Sequence, residues 1–164
     1  MYFRFLIPFF LIMALLTGCA STEKQENKVS TTQSEGKLKL DPNFKPAVLI
    51  KVEDYNNDTK KSEIAKTLVL SLDAIISGDK EKFASNLLNP NDASVYEHLF
   101  DPQVHYRFVS FEIIKFHTSS KVHLTVQFEG NTNIESVEEK NFSGQKTFIL
   151  EKNQNGNWKV QNID

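Results

Sequence analysis

The hydrophobic period of this chain changes at Asp101-Pro102, and this change constrains the fold more than any other feature of the sequence. After Pro102, β-branched and aromatic residues alternate with polar ones, as they do in half-buried strands. Before it, apolar residues recur at helical spacing, namely Ile64, Leu68, Leu72, Ile75 and Ile76. Helices followed by antiparallel strands predict an α+β domain in which the helices pack on one face of a sheet.

The helical region is expected to cover about residues 59–100. Asp58 or Thr59 can cap the first helix, because a short polar side chain accepts a hydrogen bond from the free N–H groups of the first turn. Gly78 is expected to end this helix in a left-handed conformation, and Asp79 to cap a second one that carries Phe83, Leu87 and Leu88. A third short helix is expected near residues 93–100.

The strand region is expected to cover about residues 104–163. Gly130 to Gly144 is rich in polar residues and predicts a long connection within it. One further short strand, Ala47–Val52, is expected before the helices. The four strands of the main region are predicted at Val104–His117, Val122–Glu129, Lys146–Glu151 and Trp158–Ile163.

Two adjacent isoleucines, Ile113 and Ile114, interrupt the alternation of the first long strand. A β-bulge between them would bend the strand, and a bent sheet can wrap around a helix. The same bulge is expected to turn five apolar side chains toward one core, those of Val109, Phe111, Ile113, Ile114 and Phe116.

The N-terminus carries an apolar run, residues 5–16, that follows Arg4 and ends in Leu16-Thr17-Gly18-Cys19. Twelve helical residues would span about 18 Å, well short of the ~30 Å hydrocarbon core, so a permanent spanning helix is not expected. The motif resembles the lipobox of bacterial lipoproteins. That resemblance implies that residues 1–18 are a cleaved signal peptide and that Cys19 carries a diacylglycerol and a fatty acyl chain.

The lipobox resemblance also implies a location and a domain organisation. The protein is expected at a bacterial membrane, facing away from the cytoplasm, in either the cell membrane or an outer membrane. Residues 19–40 have hardly any apolar side chain and predict a disordered polar tether, because such a segment cannot bury enough surface to offset its ordering entropy. Residues 41–164 are then one folded domain.

Charge and motif content exclude several function classes. Without residues 1–18, which contain Arg4 and no acid, the chain has 18 basic and 21 acidic side chains, a balance that does not favour nucleic-acid binding. Glu135, Glu138 and Glu139 lack the spacing of a calcium loop and are expected to be a solvated acidic stretch. No glycine-rich phosphate loop occurs, so no nucleotide is predicted.

The element order, together with Gly156-Asn157-Trp158-Lys159-Val160 near the C-terminus, resembles the nuclear transport factor two-like superfamily. The resemblance covers about residues 60–164. It implies a cone in which a strongly bent antiparallel sheet holds the helices in its concave face. It also implies a candidate pocket inside the cone, lined by Tyr106, Phe108, Glu112 and Trp158.

The superfamily includes isomerases, cyclases and dehydratases that place a carboxylate and a tyrosine inside the cone. Asp73 and Glu112 are the candidate carboxylates here, with Tyr96 and Tyr106 as candidate hydrogen-bond donors. A general base of this kind needs a buried site that raises its pKa. No catalytic motif of the superfamily matches residue by residue, so no catalytic residue is assigned.

Two histidines, His117 and His123, flank the turn between the first two long strands. With a three-residue loop they lie opposite each other, and Phe116 lies opposite Leu124. With a two- or four-residue loop, His117 lies opposite Val122 and the histidines point to opposite faces. Two histidines without a nearby carboxylate or cysteine are a poor zinc set, so no metal site is predicted.

The predicted function is that of a membrane-anchored envelope lipoprotein with a non-catalytic domain that binds or assembles with another molecule. An open cone favours a small apolar ligand, whereas a filled cone favours a partner protein or a homodimer of the kind the superfamily often forms. The alternatives are a small cone-fold isomerase or lyase and a purely structural envelope protein. No cofactor is expected beyond the lipid on Cys19.

Overall fold

The structure is a computed structural model that describes residues 43–164. The predicted signal peptide, Cys19 and the tether lie outside the described residues. The elements in chain order are β1 (Ala47–Val48), a 3₁₀ segment (Val52–Tyr55), α1 (Thr59–Ser77), α2 (Lys80–Asn86), a 3₁₀ segment (Pro90–Phe100), β2 (Val104–Thr118), β3 (Lys121–Thr132), β4 (Asn141–Lys152) and β5 (Trp158–Ile163).

The strands form one five-stranded sheet in the order β1-β2-β3-β4-β5, with β1 parallel to β2 and every other pair antiparallel. Helix α1 contacts β1 at one edge of this sheet and β5 at the other. In a flat sheet these two edges would lie about 19 Å apart, since neighbouring strands are ~4.8 Å apart. One helix of ~10 Å diameter can reach both edges only because the sheet curls around it. The predicted α+β fold with helices in the concave face of a bent sheet is therefore confirmed.

The sequence signals at both ends of α1 act as predicted. The Asp58 side chain accepts a hydrogen bond of 3.1 Å from the Lys61 N–H and caps the first turn. Gly78 adopts the left-handed conformation with φ 70°, which costs a residue without Cβ little. Asp79 caps α2 in the same way as Asp58 caps α1, by accepting a 2.9 Å bond from the Lys82 N–H.

The apolar stripe of α1 packs into the concave face of the sheet. Ile64, Leu68 and Leu72 on the helix are fully buried, and so is Phe83 on α2. The sheet residues opposite them are also fully buried: Val122, Leu124, Val126, Phe148 and Leu150. These side chains form one continuous core between the helices and the sheet.

The bulge predicted at Ile113-Ile114 is present. Ile113 pairs with Leu124 and Lys115 with His123, which leaves Ile114 unpaired in β2. The expectation that all five apolar side chains of this stretch enter the core is wrong. Phe111 is 8% exposed, whereas Ile114 is 59%, Val109 38% and Phe116 37% exposed, because two further bulges interrupt β2 after Phe108 and after Phe116.

The strand boundaries differ from the predictions by more than one residue at three places. The predicted strand Ala47–Val52 is only two residues long, because β2 pairs with it at Arg107 and Phe108 alone. β3 continues to Thr132 and β4 begins at Asn141, so the connection is limited to residues 133–140.

The later helices also differ from the predictions. α2 ends at Asn86, because the Leu88 N–H donates to the Val160 carbonyl at 2.7 Å and ties the chain to β5. Pro90–Phe100 is a 3₁₀ segment rather than an α-helix over 93–100. Its Tyr96 hydroxyl lies 3.0 Å from the Asn162 side-chain oxygen, so this segment covers the outer edge of β5.

Candidate functional site

The concave face of the sheet, where the resemblance places a pocket, is occupied by side chains. Along β3 and β4 the inward positions from Val122 to Val126 and from Phe148 to Leu150 are fully buried beneath the helices. Beyond them, toward the start of β2, lies an aromatic cluster of Tyr106, Phe108, Phe128 and Phe142. This end of the inner face is therefore lined mainly with rings, next to the partly buried Lys146, which is the register partner of Val126.

The rings of the aromatic cluster are in contact with one another. Tyr106 stacks on Phe108 with centroids 5.7 Å apart, and it meets Phe128 edge-on at 5.6 Å and Phe142 edge-on at 6.3 Å. Such edge-on and offset arrangements are the favourable geometries of aromatic pairs. Desolvation, and after it the negative charge of Asp101, raises the pKa of Tyr106, so its phenol stays protonated at neutral pH.

Two cross-strand glycines make room for this cluster. The Phe142 ring lies where a Cβ on Gly130 would be, with ring atoms only 2.2 Å from that position. The Phe128 ring lies over Gly144 in the same way, at 3.0 Å. Each glycine is the register partner of the ring that covers it. These glycines are therefore required by the close approach of the rings and do not form a turn.

The structure separates the four predicted pocket residues. Tyr106 and Phe108 lie together in the aromatic cluster. Trp158 is buried at the other end of the sheet, next to Lys152, which is its register partner in β4. Glu112 alternates with the buried Phe111 along β2, so it lies on the convex face and is exposed.

The candidate carboxylates of the enzyme alternative are both in contact with solvent. Asp73 lies on the exposed side of α1, and Glu112 lies on the convex side of the sheet. Tyr96 is buried, but its hydroxyl already donates a hydrogen bond to the Asn162 side-chain oxygen. A general base of this kind works in a site that excludes water, which an exposed carboxylate lacks. Neither residue therefore offers the chemistry that an isomerase or lyase of this fold needs.

A cleft of about 390 Å³ lies on the convex face of the sheet and was not predicted from the sequence. The bulge after Phe108 places Val109 at one wall. Glu129 lies on another and forms a 2.6 Å ion pair with Arg107. The other lining residues are Gln127, Phe128, Ser143, Gly144 and Gln145. The only sequence signal for this cleft is the small break in alternation at Val109-Ser110.

The two histidines at the β2–β3 turn lie together. Neither predicted pairing is present, because His117 pairs with neither His123 nor Val122. Thr118 pairs with Lys121 across a two-residue turn, and His117 itself is the bulged residue between Phe116 and Thr118. The prediction that a two-residue turn separates the histidines is wrong, because the bulge brings the His117 ring to 4.0 Å from the His123 ring. Within residues 43–164, no three potential ligands among His, Cys, Asp and Glu cluster closely enough to hold a metal ion.

Partial desolvation lowers the pKa of His117, and the neighbouring His123, Lys115 and Lys121 lower it further. The hairpin end is therefore a site of concentrated basic side chains. Glu135, Glu138 and Glu139, in contrast, are exposed in the 133–140 connection, as the sequence indicates.

Within residues 43–164, no helix has both the length and the apolar character needed to cross a lipid bilayer.

No protein-family model matches this chain, and no curated protein matches it in sequence. Among solved structures it is similar to the association domain of C. elegans CaMKII, with a TM-score of 0.47 and 15% identity over 66% of this chain and 96% of that chain. A cystatin-like domain of unknown function from Nostoc punctiforme has a TM-score of 0.48 and 14% identity, over 65% of this chain and 75% of that one.

A protein from Streptomyces avermitilis described as a dehydratase of the NTF2-like family has a TM-score of 0.46 and 13% identity, over 65% of this chain and 94% of that chain. At these identities the similarity concerns the fold alone.

Proposed function

We propose that this chain is a bacterial envelope lipoprotein, anchored through acyl chains on Cys19 and facing away from the cytoplasm, whose α+β domain binds a partner protein. The anchor rests on the lipobox resemblance of Leu16-Thr17-Gly18-Cys19. Two acyl chains bind a bilayer almost irreversibly, since each buried methylene contributes about 0.8 kcal/mol. The polar residues 19–40 then leave the domain free to meet a partner near the membrane.

One observation carries the choice of a protein partner, namely that side chains fill most of the concave face of the sheet. The inward side chains of Val122, Leu124, Val126, Phe148 and Leu150 have no exposed surface, and partly buried aromatic rings and Lys146 occupy the rest of that face. A small apolar ligand would have to displace close-packed side chains, which costs far more than binding at a free surface. The exposure of Asp73 and Glu112 argues against the isomerase or lyase alternative.

The cleft on the convex face is the contact surface that this proposal favours. It combines an apolar wall at Val109 with amide and hydroxyl groups of Gln127, Gln145 and Ser143. Mixed apolar and polar surfaces of this kind are typical of protein contacts that form and dissociate. The Arg107–Glu129 ion pair at its margin is partly exposed and can exchange partners with an incoming charged group.

The anchor is tested by the substitution Cys19→Ala in the full chain. We expect the variant to lose labelling by a clickable fatty acid and to leave the membrane fraction, because no other cysteine is present to be acylated. Ser21→Ala is the matched control and should label and sediment like the unchanged protein. Labelling of the Cys19→Ala variant at the unchanged level would refute the anchor.

The partner is tested by photo-cross-linking in the native host, with a photoreactive amino acid at Gln127 in the cleft or, as a control, at Lys82 on α2. We expect one discrete protein adduct from position 127 and none from position 82.

Native mass spectrometry of residues 19–164 with Cys19→Ser completes the test of the partner. A mass excess lost on denaturation would replace the partner protein by a small ligand, and a clean double mass would identify the partner as a second copy.

A further inference from the structure

The turn end of the β2–β3 hairpin combines exposed apolar side chains with basic ones. Ile114 is 59% exposed and Phe116 37% exposed, because Ile114 is the extra residue of one bulge and Phe116 directly precedes another. The Lys60 ammonium from α1 lies 3.8 Å from the centre of the Phe116 ring, a close cation–π contact. We call this the tip surface and define it as Lys60, Ile114, Lys115, Phe116, His117, Lys121 and His123.

Positive charge dominates the surroundings of the tip surface. Two of the acidic groups nearby are paired with lysines: Glu151 with Lys121 at 3.6 Å and Glu63 with Lys152 at 3.7 Å. With both histidines neutral, the lysines still outnumber the acids. The charged and titratable groups at this end of the fold are Asp58, Lys60, Lys61 and Glu63 at the start of α1, Glu112, Lys115 and His117 on β2, Lys121 and His123 on β3, Glu151 and Lys152 on β4 and Lys159 on β5.

We propose that the tip surface docks onto an anionic phospholipid membrane. The β2–β3 turn lies at one end of the sheet, beside the end of β4, where a flat surface can approach it. Exposed apolar side chains surrounded by lysines are the pattern by which peripheral proteins enter the headgroup region of a bilayer. Each lysine close to an anionic lipid surface strengthens binding by about fivefold. Docking does not require the acyl chains of Cys19, and it holds whether or not the convex cleft binds a partner.

The histidine pair makes this docking depend on pH. The His117 ring lies 4.0 Å from the His123 ring. Desolvation, and after it the neighbouring His123, Lys115 and Lys121, lowers the pKa of His117. Protonation of His117 on acidification adds positive charge to the tip surface, so binding to an anionic membrane strengthens, and binding in turn favours the protonated form.

The experiment uses residues 19–164 with Cys19→Ser, which keeps every described element and every buried core residue. Its flotation is measured with vesicles of 30% phosphatidylglycerol in phosphatidylcholine and with vesicles of phosphatidylcholine alone, at pH 7.5 and pH 5.5. We expect flotation with the anionic vesicles only, and stronger flotation at pH 5.5. Thermal melting of each variant verifies that it is folded.

Three tip variants and one control variant separate the contributions of the lysines, the apolar side chains and the histidines to binding. Lys115→Gln with Lys121→Gln should weaken binding about 25-fold, at about fivefold per lysine, whereas Lys45→Gln with Lys82→Gln removes the same charge far from the tip and should change it little. Ile114→Ser with Phe116→Ser should weaken binding about tenfold or more. His117→Gln with His123→Gln should keep the binding at pH 7.5 and lose the increase at pH 5.5.

The proposal is overturned if the protein does not float with anionic vesicles, or if it floats equally with neutral ones. Equal losses in the tip and control lysine variants would also overturn it, because binding would then follow net charge alone. If the tip variants abolish the cross-link from position 127 but leave flotation unchanged, the tip surface is a protein contact and not a lipid one. The failure of the Cys19 anchor would affect none of these outcomes, since the tested chain is not acylated.

Discussion

At the scale of single residues, the aromatic cluster depends on two glycines, because neither has a Cβ atom. Gly130 and Gly144 each lie beneath the ring of a cross-strand partner, and the missing Cβ at Gly130 leaves the space that Phe142 occupies. The sequence places both glycines in a stretch of polar and turn-forming residues, so it predicts a connection there. Only the pairing of β3 with β4 shows that they are strand residues whose role is to accommodate a ring.

Gly130→Ala tests this role. We expect the added methyl group to lower the free energy of unfolding by about 1–3 kcal/mol, because it overlaps the Phe142 ring and forces repacking. Gly144→Ala should cost less, because the Phe128 ring lies farther away, at 3.0 Å.

Urea denaturation of both single variants and of Gly130→Ala with Phe142→Ala measures the coupling. The double variant should lose less stability than the sum of the two single changes, since the removed ring no longer meets the methyl group. Simple additivity would mean that Phe142 does not constrain Gly130.

At the scale of elements, the sequence predicts the features that depend on neighbouring residues. It does not predict those that depend on which strands pair in the folded domain. Asp58 and Gly78 define α1 because capping involves only the nearest turns of chain. The bulge at Ile114 was readable from its paired isoleucines, whereas the bulges at Val109 and His117 carry no comparable signal. The convex cleft and the histidine contact both depend on those unpredicted bulges, so neither could be derived from the sequence.

The cap of α1 gives a prediction at this scale. Asp58→Ala should lower the free energy of unfolding by about 1 kcal/mol, because the Lys61 N–H loses its acceptor. Asp58→Asn should keep most of that stability, since an asparagine side-chain oxygen caps equally well. Thermal and urea unfolding of both variants provide the measurement, and equal losses would show that the charge of Asp58 matters rather than its hydrogen bond.

At the scale of the whole molecule, the two edges of the sheet differ in how far other parts of the chain cover them. The edge at β5 is covered, because Leu87, Leu88 and Tyr96 bind its residues Val160 and Asn162. Within residues 43–164, β1 pairs with β2 at Arg107 and Phe108 alone, so among these residues the stretch from Ser110 to Thr118 forms the edge of the sheet. The bulges in that stretch keep it irregular, which is a common way to prevent strand-to-strand aggregation.

Hydrogen exchange should reveal this asymmetry. We expect amides of β3 and β4 to exchange slowly, because β3 is paired on both sides along its length and both strands line the buried core. About half of the amides in residues 110–118 should exchange orders of magnitude faster, since antiparallel pairing bonds alternate residues to β3 and leaves the others facing the open edge.

Exchange followed by mass spectrometry at two protein concentrations, about a hundredfold apart, separates an open edge from a paired one. Fast exchange of 110–118 at both concentrations supports a monomer whose β2 edge remains free. Protection that grows with concentration would instead mean that a second copy covers this edge. Protection of 110–118 equal to that of β3 at both concentrations would contradict the open edge, and the bulges of β2 would then need another explanation than edge protection.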